Sequence, residues 1–79
     1  MNELTTRKRT RQLIAQWFEQ FSKKDRFTTD DTCRYVNRYL PHKIDTGTIR
    51  REMRFLRDDG LINYKTVGPR RDKIIEIIK

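Results

Sequence analysis

From residue 13 onward the first apolar side chains fall at Leu13, Ile14, Trp17, Phe18 and Phe21, the i, i+1, i+4, i+5, i+8 spacing of a single stripe on a helix. The spacing predicts a first helix over about 6–22. The charged stretch SKKDR after it reads as a connection. In FTTDDTCRYVNRYLP, Thr28 stands three residues before Asp31, a capping-box-like start with acidic groups near the positive end of the helix dipole. A second helix is therefore expected over about 29–40, with Cys33, Val36 and Leu40 facing inward. Pro41 stops it, because proline lacks the amide hydrogen and disfavours helical geometry in the residue before it. Helical spacing resumes at Ile49, Met53 and Leu56 behind Asp45, a good N-cap residue. That predicts a third helix over about 46–59, closed by Gly60 as its C′ glycine. Beyond Gly60 the period changes. LINYKTV and KIIEIIK are rich in β-branched and aromatic residues, and GPRRD lies between them, so residues 61–79 read as a β-hairpin with a basic tip.

These elements make an α+β chain of one domain over 1–79, small enough that no large active-site cavity is expected. Charge changes the picture more than size does. Nineteen Lys and Arg against eleven Asp and Glu leave a net charge of +8, and charge spread through structured segments favours a polyanionic partner, nucleic acid before membrane. Cys33 is the single cysteine, so no internal disulfide forms, and no Cys/His cluster offers zinc ligands. Neither a metal nor a cofactor is expected. No apolar run approaches the roughly 18 residues of a membrane span, and MNELTTRKRTRQ lacks the apolar stretch of a signal peptide. A cytoplasmic protein is the simplest expectation.

On the third helix, at about 100° per residue, Ile49, Met53 and Leu56 gather on one side. Arg50, Arg54 and Arg57 form a strip facing away from it, with Thr46 and Gly47 at its N-terminal end and Arg51 at its margin. Glu52 and Asp59 project toward the other flank and leave the strip uniformly positive. A DNA major groove admits one α-helix, and the planar fork of arginine matches the O6 and N7 acceptors of guanine or grips phosphates. The alternative is a solvated basic helix face. At the hairpin tip Arg70 and Arg71 follow Pro69, with Lys65 and Lys73 on the strands below, suited either to phosphate anchoring or to discouraging edge aggregation. Arg7, Lys8, Arg9 and Arg11 make a third basic patch, for which solvation and backbone contact stand equal.

Candidates for catalysis are poor, and no enzymatic activity is expected. His42 has no adjacent nucleophile, and Cys33 falls on an apolar stripe where a small buried side chain is ordinary. Asp30 with Asp31, and Asp58 with Asp59, read as caps and solvated helix ends. Tyr35, Tyr39 and Tyr64 are spaced for packing rather than for stacking on bases. Two apolar features fit a simple monomer less well. Phe55 points away from both the core stripe and the arginines, and KIIEIIK has isoleucines on both faces of its strand. Phe55 is open to cover by a neighbouring helix, and Phe55 or one face of the 73–79 strand is a candidate for burial by a second copy of the chain, as in two-fold DNA readers, or by another protein.

Two helices joined by a short turn, the second of them basic and followed by a two-stranded ribbon, resemble the winged helix-turn-helix family across nearly the whole chain. GTIRREMRFLRDDGLINY carries the most specific part of the likeness. A weaker likeness, confined to this helix and strand, is to the winged DNA-reading domain that follows the catalytic domain of some methyl-directed restriction enzymes, but no nuclease motif accompanies it. The resemblance implies a three-helix domain with a C-terminal hairpin wing. It also implies double-stranded DNA as partner, with helix 46–59 in the major groove, the 68–72 wing on the backbone or minor groove, and a role in transcription regulation. Some winged helices bind proteins or RNA instead, so a subunit of a larger nucleic-acid-processing assembly and an RNA binder stay open as alternatives.

Overall fold

The computed structural model describes residues 3–68 and 74–78, with side chains from residue 6. The chain runs α1 (Glu3–Glu19), β1 (Arg26–Thr28), α2 (Thr29–Arg38), α3 (Thr46–Asp58), β2 (Tyr64–Val67) and β3 (Ile74–Ile77). It is an α+β domain of three helices and a three-stranded antiparallel sheet. All three helices and both late strands fall where the apolar spacing places them, within a few residues. α1 begins and ends about three residues earlier than expected, and an unexpected strand starts at the last residue of SKKDR and runs to the N-cap of α2. β1 spans only Arg26, Phe27 and Thr28, of which Phe27 alone is buried.

That short strand changes the meaning of the last one. The sheet order is β1-β3-β2, so β3 is central and hydrogen-bonded on both edges. Ile75 and Ile77 point into the core, where the same face carries Phe27 and Tyr64. Ile74 and Ile78 lie half-buried on the outer face, on either side of Glu76. The isoleucines on both faces are thus accounted for largely within one chain: a central strand is shielded more completely than an edge strand. Glu76 pairs in register with Arg26 of β1 and Lys65 of β2. Its carboxylate accepts from Arg26 at 2.8 Å and from Lys65 at 3.1 Å, and these two cations, Lys65 foremost, hold its pKa below the ordinary glutamate range.

The start of α2 and the end of α3 cap as their sequences dictate, while Asp45, at the N-cap position of α3, makes no side-chain cap hydrogen bond. Thr28 and Asp31 form the reciprocal capping box, Thr28 N–H donating to the Asp31 carboxylate at 3.0 Å and Asp31 N–H to the Thr28 hydroxyl at 3.1 Å. α3 ends in a Schellman turn: Gly60 N–H donates to Arg57 O and Leu61 N–H to Leu56 O, both at 3.0 Å. Gly60 has φ 78° there, a left-handed conformation that costs any residue with a Cβ. The core joins Leu13, Ile14 and Phe18 of α1, Cys33 and Val36 of α2, and Ile49, Met53 and Leu56 of α3 to the sheet. Trp17 and Leu40, expected on the same inward faces, pack at its margin and are only partly buried. Of the tyrosines, Tyr64 is buried, while Tyr39 stays half-exposed against Tyr35 at 5.2 Å between ring centroids.

Candidate nucleic-acid interface

The arginine strip is positioned by what lies behind it. Ile49, Met53 and Leu56 are almost wholly buried, so α3 cannot rotate without exposing them, and the opposite side of the helix must face outward. Arg50 and Arg54 are exposed there, with Gly47 beside them and Thr46 half-buried in the first turn. Neither Arg50 nor Arg54 has an ion-pair partner among the described residues. Arg51 is exposed on the neighbouring flank, at the margin expected for it.

Arg57 departs from the expected strip. Its guanidinium lies over the Tyr64 ring at 4.6 Å from the centroid and is half-buried, a cation–π contact that ties the end of α3 to β2. Burial is the main cause raising the Tyr64 pKa, against the opposing pull of Arg57 and Arg54. Arg50, Arg54 and Arg57 together with Thr29, Met53, Tyr64, Thr66 and Ile75 line a groove of about 300 Å³ between α3 and the sheet. Lys65 does not join them. Its side chain lies on the outer sheet face, spent on Glu76. Arg70 and Arg71, assigned to the hairpin tip, and Lys73, assigned to the strand below it, lie outside the described residues.

The turn before α3 is built from a contact with no sequence signature. Asn37 near the end of α2 accepts from Ile44 N–H at 2.7 Å and donates to Ile44 O at 2.9 Å, so one side-chain amide mimics a strand pairing and closes the turn. The Cys33 thiol donates to the same carbonyl at 3.2 Å. Burial, with Asp30 nearby, raises its pKa and keeps it a neutral thiol. Asp45 occupies the N-cap position of α3, and its carboxylate accepts from the Thr48 hydroxyl. This bond above all lowers its pKa. His42 sits exposed in the same turn. Beside the turn, Arg34, Arg38 and Lys43 flank a shallow groove that reaches Thr46. These three cations form no pattern in the sequence, because they are scattered over helix and turn.

The other flank of α3 holds the largest departure. Glu52 is 3% exposed, and its two oxygens accept from Arg7 Nε at 3.1 Å and from Arg11 Nε. Both guanidiniums also lie over the Phe55 ring, 5.8 and 5.5 Å from its centroid. The basic patch of α1 is therefore in part a structural clamp. Phe55, open to cover by a neighbouring helix, lies beneath these two arginines of α1 and is 40% exposed. A lone glutamate one turn from Leu56 on an arginine-rich helix was the available signal.

Among the described residues, no three His, Cys, Asp or Glu side chains gather as a metal site, and no helix is long and apolar enough to cross a membrane. No protein family, curated protein or solved structure matches the chain in the comparisons made with known proteins.

Proposed function

We propose that this chain is a winged helix-turn-helix domain that binds double-stranded DNA through α3, as a regulator of transcription or of another DNA transaction, without enzymatic activity of its own. The observation that carries the reading is the pair of exposed arginines, Arg50 and Arg54, on the face of α3 opposite a fully buried stripe. Charges without ion-pair partners among the described residues, held on a helix whose other side is buried, are preorganised for an external anion, and their spacing along one helix suits base edges or phosphates in a major groove. Thr46 and Gly47 at the N-terminal end of the strip are small enough to let the helix approach closely. Arg57 serves at the inner edge of the groove, where its stacking on Tyr64 fixes its direction. If Arg70, Arg71 and Lys73 contact DNA, they do so as backbone anchors, and Lys65 contributes less because Glu76 neutralises it.

A protein-interaction winged helix is the rival from another class. The two-faced isoleucine strand that favoured it is largely satisfied by the central position of β3, which leaves the arginines as the stronger observation. Selection of bound sequences from a random duplex pool tests the proposal. Enrichment of a short sequence, read through Arg50 and Arg54, is the expected result, and recovery of a half-site repeat would indicate two copies per site. No enrichment, together with equal binding of duplex and RNA, would contradict it.

A further inference from the structure

Another groove lies on the other flank of α3. It is about 1050 Å³, open, and lies between the first turns of α1, the α2–α3 turn and α3 itself, with Arg7, Lys43, Arg51, Thr48 and Phe55 among its walls. We propose that this groove, on the flank of α3 beside the Arg50 and Arg54 strip, binds the phosphodiester backbone of the duplex. The proposal rests on the DNA-binding reading of α3 and adds a second strand contact to it.

Three observations carry it. First, the α1 arginines are held in place rather than loose. Each spends its Nε on Glu52 and lays its guanidinium on Phe55, and an arginine has further N–H donors on its terminal nitrogens. Arg7 remains 53% exposed in this arrangement, so its remaining donors are aimed by a buried carboxylate and still open to solvent. Second, the charge balance is positive. The two carboxylates, Glu52 in the floor paired with Arg7 and Arg11 and Asp45 near Arg51, are outnumbered by four cations, Arg7, Arg11, Lys43 and Arg51, and neither Lys43 nor Arg51 has an ion-pair partner among the described residues. Third, the groove adjoins the strip, because Arg51 in its wall and Arg54 on the strip are three residues apart and so neighbours on the surface of α3. An open trough with cations spaced along it suits a chain of phosphates better than a single small anion, which would leave most of the space unfilled.

The test uses the full chain, a duplex taken from the selection above and a scrambled duplex, each titrated at several salt concentrations with wild type, Lys43→Ala, Arg51→Ala and Arg7→Ala. Lys43 and Arg51 lie outside the Glu52 clamp, so their variants report on binding even if Arg7→Ala weakens the fold, which a thermal melt reveals. Each is expected to lose roughly three- to ten-fold in affinity, equally for both duplexes, with the slope of log affinity against log salt reduced by about one unit per lost phosphate contact. Retained affinity and slope in Lys43→Ala and Arg51→Ala, with loss in Arg50→Ala, overturns this groove and leaves the role of α3 standing. Failure of the wild type to bind duplex overturns both. Equal competition by polyglutamate for wild type, but not for Lys43→Ala, overturns the phosphodiester assignment in favour of an acidic protein partner.

Discussion

Asn37 does more than its position near the end of a helix announces, because its amide supplies both a donor and an acceptor to Ile44 and so fixes how α3 leaves the turn. Replacing it with alanine leaves the Ile44 N–H and C=O without that partner in a partly buried place. Asn37→Ala is expected to cost about 2 kcal/mol, measured by urea unfolding, and a change within error would mean that the turn is held by packing alone. Glu76 is the second residue whose role lies in its partners. Its folded pKa is depressed by Lys65 and Arg26, so the stability it contributes is present above the ordinary glutamate value of about 4.3 and is lost as pH falls through the lower folded value. Glu76→Gln should therefore flatten part of the acid limb of a stability-against-pH curve. A residual slope is expected from Asp45, whose pKa is also lowered. An acid limb identical in wild type and Glu76→Gln would mean that the cross-strand cations do not act on it.

Elements with a long period were legible in the sequence, and short or contact-defined ones were not. α3 could be placed from Ile49, Met53 and Leu56 because about two turns of consistent spacing and a C-terminal glycine agree. β1 could not, since three residues with one buried side chain show no period, and its strand character comes from pairing with β3 some fifty residues away. The same cause hid the place of β3 at the centre of the sheet, and with it the reason for its two-faced isoleucines. For the candidate site, the direction of Arg50 and Arg54 followed from helix geometry alone. The engagement of Arg57 by Tyr64, of Lys65 by Glu76 and of Arg7 and Arg11 by Glu52 did not, because each joins residues of different elements. One feature of α3 that the sequence does specify is its stop. At Gly60 an added Cβ would meet nothing within 4 Å, so Gly60→Ala is expected to cost only the left-handed backbone penalty, about 1 kcal/mol. A loss several times larger would show that the turn into β2 is under a tighter constraint than the Schellman bonds impose.

At the scale of the whole molecule, opposite faces of α3 hold two different kinds of interaction. Inward lie the apolar stripe and the Glu52 clamp to α1, and outward lie cations without partners among the described residues. The clamp belongs to the stability of the domain. Removing both Arg7 and Arg11 leaves the Glu52 carboxylate buried and unmatched, and the double alanine variant is expected to lose about 3 kcal/mol, a large share of the stability of a domain this small. Glu52→Gln should lose less, because it removes the buried charge itself. The reverse order in chemical denaturation would contradict the clamp. The outward face belongs to binding, and the most direct measurement is a titration of the selected duplex with wild type and with the Arg50→Ala/Arg54→Ala double variant, alongside thermal melts of both proteins. The account predicts salt-dependent binding by wild type, an unchanged melting temperature in the variant, and at least a ten-fold loss of affinity that also erases the preference over a scrambled duplex. A variant that melts like wild type and binds the selected duplex as tightly would contradict the account at its centre, because the exposed strip of α3 would then have no part in recognition.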